Sequence, residues 1–267
     1  MQKLGEGAKP FTLSFPQSAP NSVLIRGEEG DSKAMGVSYE VKLHVGDNSE
    51  DHVGSKKASV HMSIRKAQYA GSDEKQRSPT AKAEKGFLCS SGKLGLECTM
   101  DREISYHGQE LPINVCINNN SKKSVKLIRV AIIQHCELTM VAAQYSCKVA
   151  RLETKDGCPL GPGANLNRTF TMKPLAQMCG FQRGLALDAS LSKERDETNL
   201  ASSSIAESGD PNDLLGVIVS YSVKVTCVLS GMGGEPSVDV PFKLVHPRPG
   251  KPYDLFSCYL DEVSHWL

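Results

Sequence analysis

Residues 36–45, GVSYEVKLHV, alternate Val37, Tyr39, Val41, Leu43 and Val45 with Ser38, Glu40, Lys42 and His44. Successive side chains of an extended chain point to opposite faces, so a period of two fits a strand with one face on a core and one on water. The pattern recurs. ASVHMSIRKAQY puts Val60, Met62 and Ile64 on one face; LPINVCIN, VKLIRVAIIQH and VAAQYSCKVA follow; LGVIVSYSVKVTCVLS alternates Val217, Val219, Tyr221, Val223 and Val225; SVDVPFKLV closes the series. Many short strands separated by Gly, Pro and Asn turns, with no sustained helical period, predict an all-β chain of sandwiches.

The 267 residues allow one large domain or two ordinary ones, and two is the expectation. Residues 71–86, GSDEKQRSPTAKAEKG, are polar, hold a proline and read as a linker, or as a short solvated helix in their EKQRSPTAKAEK part. That division leaves a front part, 1–70, too short for a whole sandwich, a rear domain, 87–247, that is long enough, and a tail, 248–267. With Lys plus Arg at 31 and Asp plus Glu at 30, no bulk field draws the chain to nucleic acid, and any basic site must be local. No stretch approaches the roughly 18 apolar residues of a spanning helix, and MQKLGEGAKPF has no apolar core of a secretory signal. The nine cysteines are scattered without C-x-x-C, and no His pair has metal-ligand spacing; reduced cytoplasmic thiols and no metal are expected.

Catalytic signals are weak. His135 and Cys136 are neighbours on a strand, so they point to opposite faces, unlike a nucleophile and its base. GMGG, 231–234, follows a strand as a phosphate loop would, but a second strand comes next, which makes it a hairpin tip. The basic stretch NNNSKKSVKLIRV, with Lys122, Lys123, Lys126 and Arg129, reads equally as an anion-binding surface or as a turn and edge kept soluble by lysines. Alternation alone puts Arg65 with His61 and Ser63 on an exposed polar face. The cluster Asp188, Lys193, Glu194, Arg195, Asp196 and Glu197 would ordinarily be a solvated loop.

Seven blocks, in order, change that reading: FPQSAPNSVLIRGEEGDSKAMGVSYEVKLHV, VHMSIRKAQYA, DREISYHGQELPINVCINNNSKKSVK, RGLALD, ETNLASSS, LLGVIVSYSVKV and VPFKLVHPRP. Together they resemble the corresponding stretches of the visual and β-arrestins over roughly residues 2 to 249. The resemblance implies two cupped immunoglobulin-like β-sandwiches, the first incomplete here. It implies a non-enzymatic cytoplasmic adaptor, recruited to the plasma membrane, that binds phosphorylated G-protein-coupled receptors, desensitises them and promotes their internalisation. It further implies that Arg65 is a buried polar-core arginine, against the strand-face reading, opposed by Asp188 and by either Asp196 or Glu197. Lys193 and Lys3 then contact receptor phosphates, while Lys122, Lys123, Lys126 and Lys224 lie where the family binds inositol polyphosphates. Receptor-facing loops hold Asp31, Lys33 and Met35 in one segment and Leu138 and Tyr145 in another, and Leu88 and Met232 lie on the edge that touches the bilayer.

On this reading the charge cluster is a latch. A buried guanidinium is tolerable only while paired, and stripping its partners costs about 3 to 5 kcal/mol. A phosphate, with up to about two charges and three acceptor oxygens, competes for it and lets the lobes rotate. The chain departs from the family in lacking the first phosphate-sensing strand, one polar-core aspartate and the finger loop. Its ending, YDLFSCYLDEVSHWL, matches neither the clathrin-binding box nor the adaptor-binding motif, so neither partner is expected; truncation of the family pattern is the expectation.

Overall fold

The structure, a computed structural model, describes residues 11–16, 19–28, 35–45, 56–64, 77–87, 90–189, 199–205, 216–231 and 234–246. Its strands are β1 (Val23–Ile25), β2 (Met35–Val37), β3 (Tyr39–Val45), β4 (Lys56–Met62), β5 (Thr80–Phe87), β6 (Ser90–Met100), β7 (Ile104–Tyr106), β8 (Leu111–Asn119), β9 (Val125–Leu138), β10 (Ala143–Thr154), β11 (Asn165–Met172), β12 (Ala186–Asp188), β13 (Val217–Leu229) and β14 (Ser237–Val245). Among the described residues the only helical element is a 3-10 turn, Ala176–Cys179. The fold is all-β.

Two sheets carry the rear of the chain, one ordered β10-β9-β13-β14-β7 and one ordered β11-β8-β6-β5. Their inner faces are the apolar halves of the alternation. Leu96, Cys98, Ile113, Val115, Ile117 and Phe170 meet Ile128, Val130, Ile132, Val223, Val225 and Val240 in one continuous core. Truncating a buried aliphatic residue here to Ala carries the usual cost of about 2–5 kcal/mol in lost transfer energy and cavity.

β5 corrects the linker at 71–86. Thr80–Phe87 forms an edge strand antiparallel to β6, with Ala81, Ala83 and Phe87 against the core and Lys82 and Glu84 paired to Glu97 and Lys93 at 3.1 Å each. Alanines on the inner face and charges on the outer are what an edge strand tolerates, so the strand has a linker's composition. Among its described residues, 77–85, the stretch is not a helix either.

The front residues form two smaller sheets. β3 and β4 pair in register from Tyr39↔Met62 to Val45↔Lys56, as the alternation predicts. Leu43 and Val60, on its apolar side, are nevertheless 55% and 47% exposed. Among the described residues, β3 and β4 pair only with each other, and a two-stranded ribbon has no second layer to bury that face.

The other small sheet is ordered β12-β1-β2, with Val23↔Asp188 and Ile25↔Ala186 in register. β12 therefore comes from the middle of the segment read as the rear domain and pairs with the front of the chain. It is fastened behind by Gln134 on β9. That buried amide donates to the Ala186 carbonyl and accepts from the Ala186 amide, both at 2.8 Å, and donates to the Tyr221 hydroxyl at 2.8 Å; Tyr221 in turn donates to the Ala201 carbonyl. Burial pushes the Tyr221 hydroxyl well above the ordinary phenol range, so it stays a donor.

Candidate functional site

The joint begins at Asp188, the last residue of β12, which is almost wholly buried. One residue on, the Ala189 amide donates to the Ser22 carbonyl at 3.2 Å, and the Ala189 carbonyl accepts the Ser63 hydroxyl at 2.6 Å. Ser22 closes the circuit. Its amide donates to the Ile64 carbonyl at 2.7 Å, and its hydroxyl accepts the Ile64 amide at 2.9 Å. The backbone immediately before Arg65 is thus tied to the backbone immediately after Asp188. This is the physical content of the two blocks IRK and RGLALD lying so far apart in sequence.

The segment beyond the acidic cluster returns to the same place. Asn199 accepts from the Asp188 amide at 2.9 Å, the Ala201 amide donates to Ala186 at 3.1 Å, Ser203 exchanges bonds with Leu244 on β14, and Ser204 does so with Val219 on β13. Asn199 to Ser204 thereby stitches β12 to the five-stranded sheet. Asp188 itself accepts a bond at 2.9 Å from Nε2 of His246, which follows β14. The His246 ring stacks on His107, centroids 4.5 Å apart, and His107 bonds the Ser202 hydroxyl at 3.0 Å. Sequence reasoning missed both histidines because they are isolated and far apart in the chain. Arg65, Asp196, Glu197, Lys193 and Lys3 lie outside the described residues.

A second cluster sits at the turn between β8 and β9. Asn119, fully buried, donates to the carbonyls of Lys123, Leu160 and Gly161 at 2.7, 2.9 and 3.0 Å, and its carbonyl accepts from the Ser121 amide and hydroxyl at 3.2 and 2.7 Å. Gly92 lets a neighbouring chain pass close: its φ is +86°, and a Cβ there would lie 1.8 Å from the Asn120 carbonyl. The turn carrying Lys122 and Lys123 is accordingly built rather than loose. Lys126 is exposed at a bulge, where Leu127 and Val125 oppose Val228 and Leu229. Lys224 is elsewhere. It lies opposite Ala131, five residues up β13 from Leu229, or about 16 Å at strand rise, and pairs with Asp239 at 3.5 Å. Arg129 is balanced by Glu153 and Glu235.

The loop between β9 and β10 lies where expected but presents different residues. Leu138 is 7% exposed and packs in the core, since the alternation of β9 runs inward through it. Tyr145 lies over Gly184, where any Cβ would collide with the ring, and takes the Arg183 guanidinium 5.8 Å above its centre. Met140 and Val141, at the tip, are 89% and 67% exposed, whereas Tyr145 is half-buried. Met35 is half-buried and packs against the core. Asp31, Lys33, Leu88 and Met232 lie outside the described residues.

His135 and Cys136 do face opposite ways. Cys136 points inward, where burial pushes its thiol up to about 11, while His135 bonds the Ser146 and Ser222 hydroxyls at 3.0 Å each. This histidine lines an open trough of about 740 Å³ on the outer face of the five-stranded sheet. A histidine between two serines resembles a nucleophile and base, yet both ring nitrogens are taken by hydroxyls, leaving none for an orienting carboxylate.

The chain is thus an all-β one in which an internal strand ending in a buried carboxylate pairs with a strand from the front of the sequence. Residues 90–249 match the family model described as "Arrestin (or S-antigen), C-terminal domain". The chain is 47% identical over 252 residues to an arrestin homolog of Locusta migratoria, covering 94% of this chain and 61% of the relative. It is 47% identical to Phosrestin-1 of Drosophila melanogaster, covering 94% and 62%, and 40% identical to human Beta-arrestin-2, covering 93% and 60%. The chain belongs to the arrestin family. It spans about three fifths of the length of these relatives.

Proposed function

We propose that this chain is an arrestin-type adaptor without catalytic activity that binds activated, phosphorylated G-protein-coupled receptors from the cytoplasmic side, with Asp188 and Arg65 forming the phosphate-released latch. One observation carries the reading: a buried carboxylate ends the exchanged strand, and the residues flanking Arg65 and Asp188 are hydrogen-bonded through Ser22. On this reading Asp188 is one acid facing Arg65, with Asp196 or Glu197 as the second. A receptor phosphate captures the guanidinium and Lys193, and the lobes become free to turn. Pulldown by a phosphorylated receptor tail tests this. Arg65→Glu should bind with or without phosphate, Lys193→Ala should bind less, and binding that is phosphate-independent in the parent and unchanged in both variants refutes the latch.

The Asn119-built turn favours a second activity, binding of inositol polyphosphate at Lys122, Lys123 and Lys126, with Lys224 as a separate contact. Affinity for inositol hexakisphosphate should fall steeply with salt and with Lys123→Ala plus Lys224→Ala. Salt-independent binding removes this reading and leaves the latch standing. Contact of Leu88 and Met232 with a bilayer would accompany receptor binding and is weak by itself.

A further inference from the structure

Of the fourteen prolines in the chain, Pro79 alone follows a serine or threonine. Ser78 and Pro79 lie just before β5, where the pairing of β5 with β6 continues backwards. The Met100 amide donates to the Pro79 carbonyl at 3.0 Å, and the Ser78 hydroxyl donates to the Asp101 carbonyl at 2.9 Å. Proline has no amide hydrogen and pushes the residue before it towards extended backbone. The site is also open to solvent. β5 is the edge of its sheet, ordered β11-β8-β6-β5, and Arg77, Ser78 and Thr80 are exposed. By contrast, the hydroxyls of Ser121 and Ser203 are committed inside the fold, to the Asn119 side-chain carbonyl and the Leu244 amide. The one bond that Ser78 makes goes to a surface carbonyl that water can satisfy.

We propose that Ser78 is the acceptor for a proline-directed protein kinase. A kinase cleft that takes a ring where other clefts expect an amide reads Ser-Pro, and this chain offers it one such pair. In the transfer, Oγ of Ser78 attacks the γ-phosphorus of the MgATP that the kinase holds. The new Oγ–P bond replaces the bond to the bridging oxygen, the hydroxyl proton passes to the base of the kinase, and ADP leaves.

The product carries up to about two negative charges and three acceptor oxygens. Arg77, next in the chain, and Arg102, which follows Asp101, are exposed and supply opposite charge, while the exposed Asp101 carboxylate opposes it. Pairs of this kind in water are each worth little, so the fold carries the phosphate without rearranging. Pro79 itself lines the trough on the five-stranded sheet, together with Glu103, Lys224, Asp239 and Lys243. Those four charges cancel, with Lys224 on Asp239 at 3.5 Å and Lys243 on Glu103 at 3.3 Å. Modification of Ser78 therefore makes a balanced rim negative, which is a regulatory charge placed on that trough. The inference is independent of the latch.

The test incubates the folded full chain, its Ser78→Ala and Pro79→Ala variants, and a synthetic peptide of residues 72–84 with a purified mitogen-activated protein kinase and MgATP. Tandem mass spectrometry locates the phosphate. The folded chain should be phosphorylated at Ser78 at a rate within about tenfold of the peptide, because an exposed edge opens at little cost. Ser78→Ala should take no phosphate, and Pro79→Ala should be labelled at least about tenfold more slowly than the parent, since the ring is what the cleft selects. Thermal melts of the phosphorylated chain should overlay those of the parent. Should Pro79→Ala fail to fold, the peptide carrying the same change decides. Phosphate on another residue, equal labelling of Pro79→Ala, a folded chain slower than the peptide by more than the stated factor, or no labelling of either overturns the proposal.

Discussion

Replacing Gln134 by Leu removes the fastening of the exchanged strand at nearly constant volume. Three bonds are lost, and one of them leaves the wholly inaccessible Ala186 amide without its partner, while the Ala186 carbonyl keeps the Ala201 amide at 3.1 Å. The orphaned amide costs about 1–3 kcal/mol, so the change comes to about 2 kcal/mol. Tyr221 keeps its bond to Ala201 and adds little. With a urea slope of about 2 kcal/mol per molar, the unfolding midpoint followed by far-ultraviolet circular dichroism should fall by about 1 M. Tyr221→Phe alone should cost about 1–2 kcal/mol, and the double variant should cost about 1 kcal/mol less than the sum, because both single changes break the Gln134–Tyr221 bond. A midpoint shift under about 0.5 M for Gln134→Leu would refute the claim that this amide holds β12 to the rear sandwich.

Asn119→Ala takes away the donor to the Lys123 carbonyl, while the Leu160 and Gly161 carbonyls keep the Val125 and Ala164 amides, and should cost about 1–3 kcal/mol in a urea melt while lowering inositol hexakisphosphate affinity in calorimetry; an unchanged melt rejects the built turn. Met140→Ser with Val141→Ser should leave the melt within about 0.5 kcal/mol of the parent and weaken receptor pulldown, whereas Leu138→Ser should destabilise strongly. The thiols of Cys98 and Cys227, pushed to about 12 by burial, and of Cys136 and Cys179, pushed to about 11, should resist iodoacetamide at pH 8 until urea unfolds the chain, as read by mass spectrometry. The same shifts fix a sign: above an ordinary thiol value of about 8.5 the unfolded chain sheds protons that the folded one keeps, so stability should decline from there towards pH 11. A melt rising with pH over that window contradicts the burial.

Strands with clear alternation were legible because alternation is a local signal, and β8, β9, β13 and β14 appear where the sequence places them, whereas β6 and β11 were not read as strands. β5 was not, because an edge strand with alanines inside and charges outside has the composition of a linker. β12 was not, because three residues carry no period, and its partner β1 lies more than a hundred residues earlier. Beyond β4, which ends at Met62, the bonds at Ser63 and Ile64 run to Ala189 and Ser22 rather than along a ladder, and Arg65 itself lies outside the described residues. In the loop between β9 and β10 the resemblance located the segment, but only burial could tell Leu138 from Met140. The His246–Asp188 contact had no sequence signal, since nothing local marks two residues that meet across a fold.

If the proposed latch operates, the strand that β12 lends to the front of the chain is where phosphate capture would be turned into movement. β12 has three residues, and its backbone bonds run to β1 on one side while Leu187 bridges to Leu200 on the other. Gln134 holds it from behind. The apolar contacts of Ala186 and Leu187 secure its first two residues to the rear core, leaving Asp188 as the residue whose fixation depends on charge. Polar fixation in a buried place is close to balanced, since desolvation offsets much of the attraction. An incoming phosphate need only exceed that small remainder, whereas dislodging an apolar anchor of the same size would cost several kcal/mol with no compensating bond. A carboxylate at the end of a short strand held in place by apolar residues is therefore a position where modest binding energy can be converted into movement.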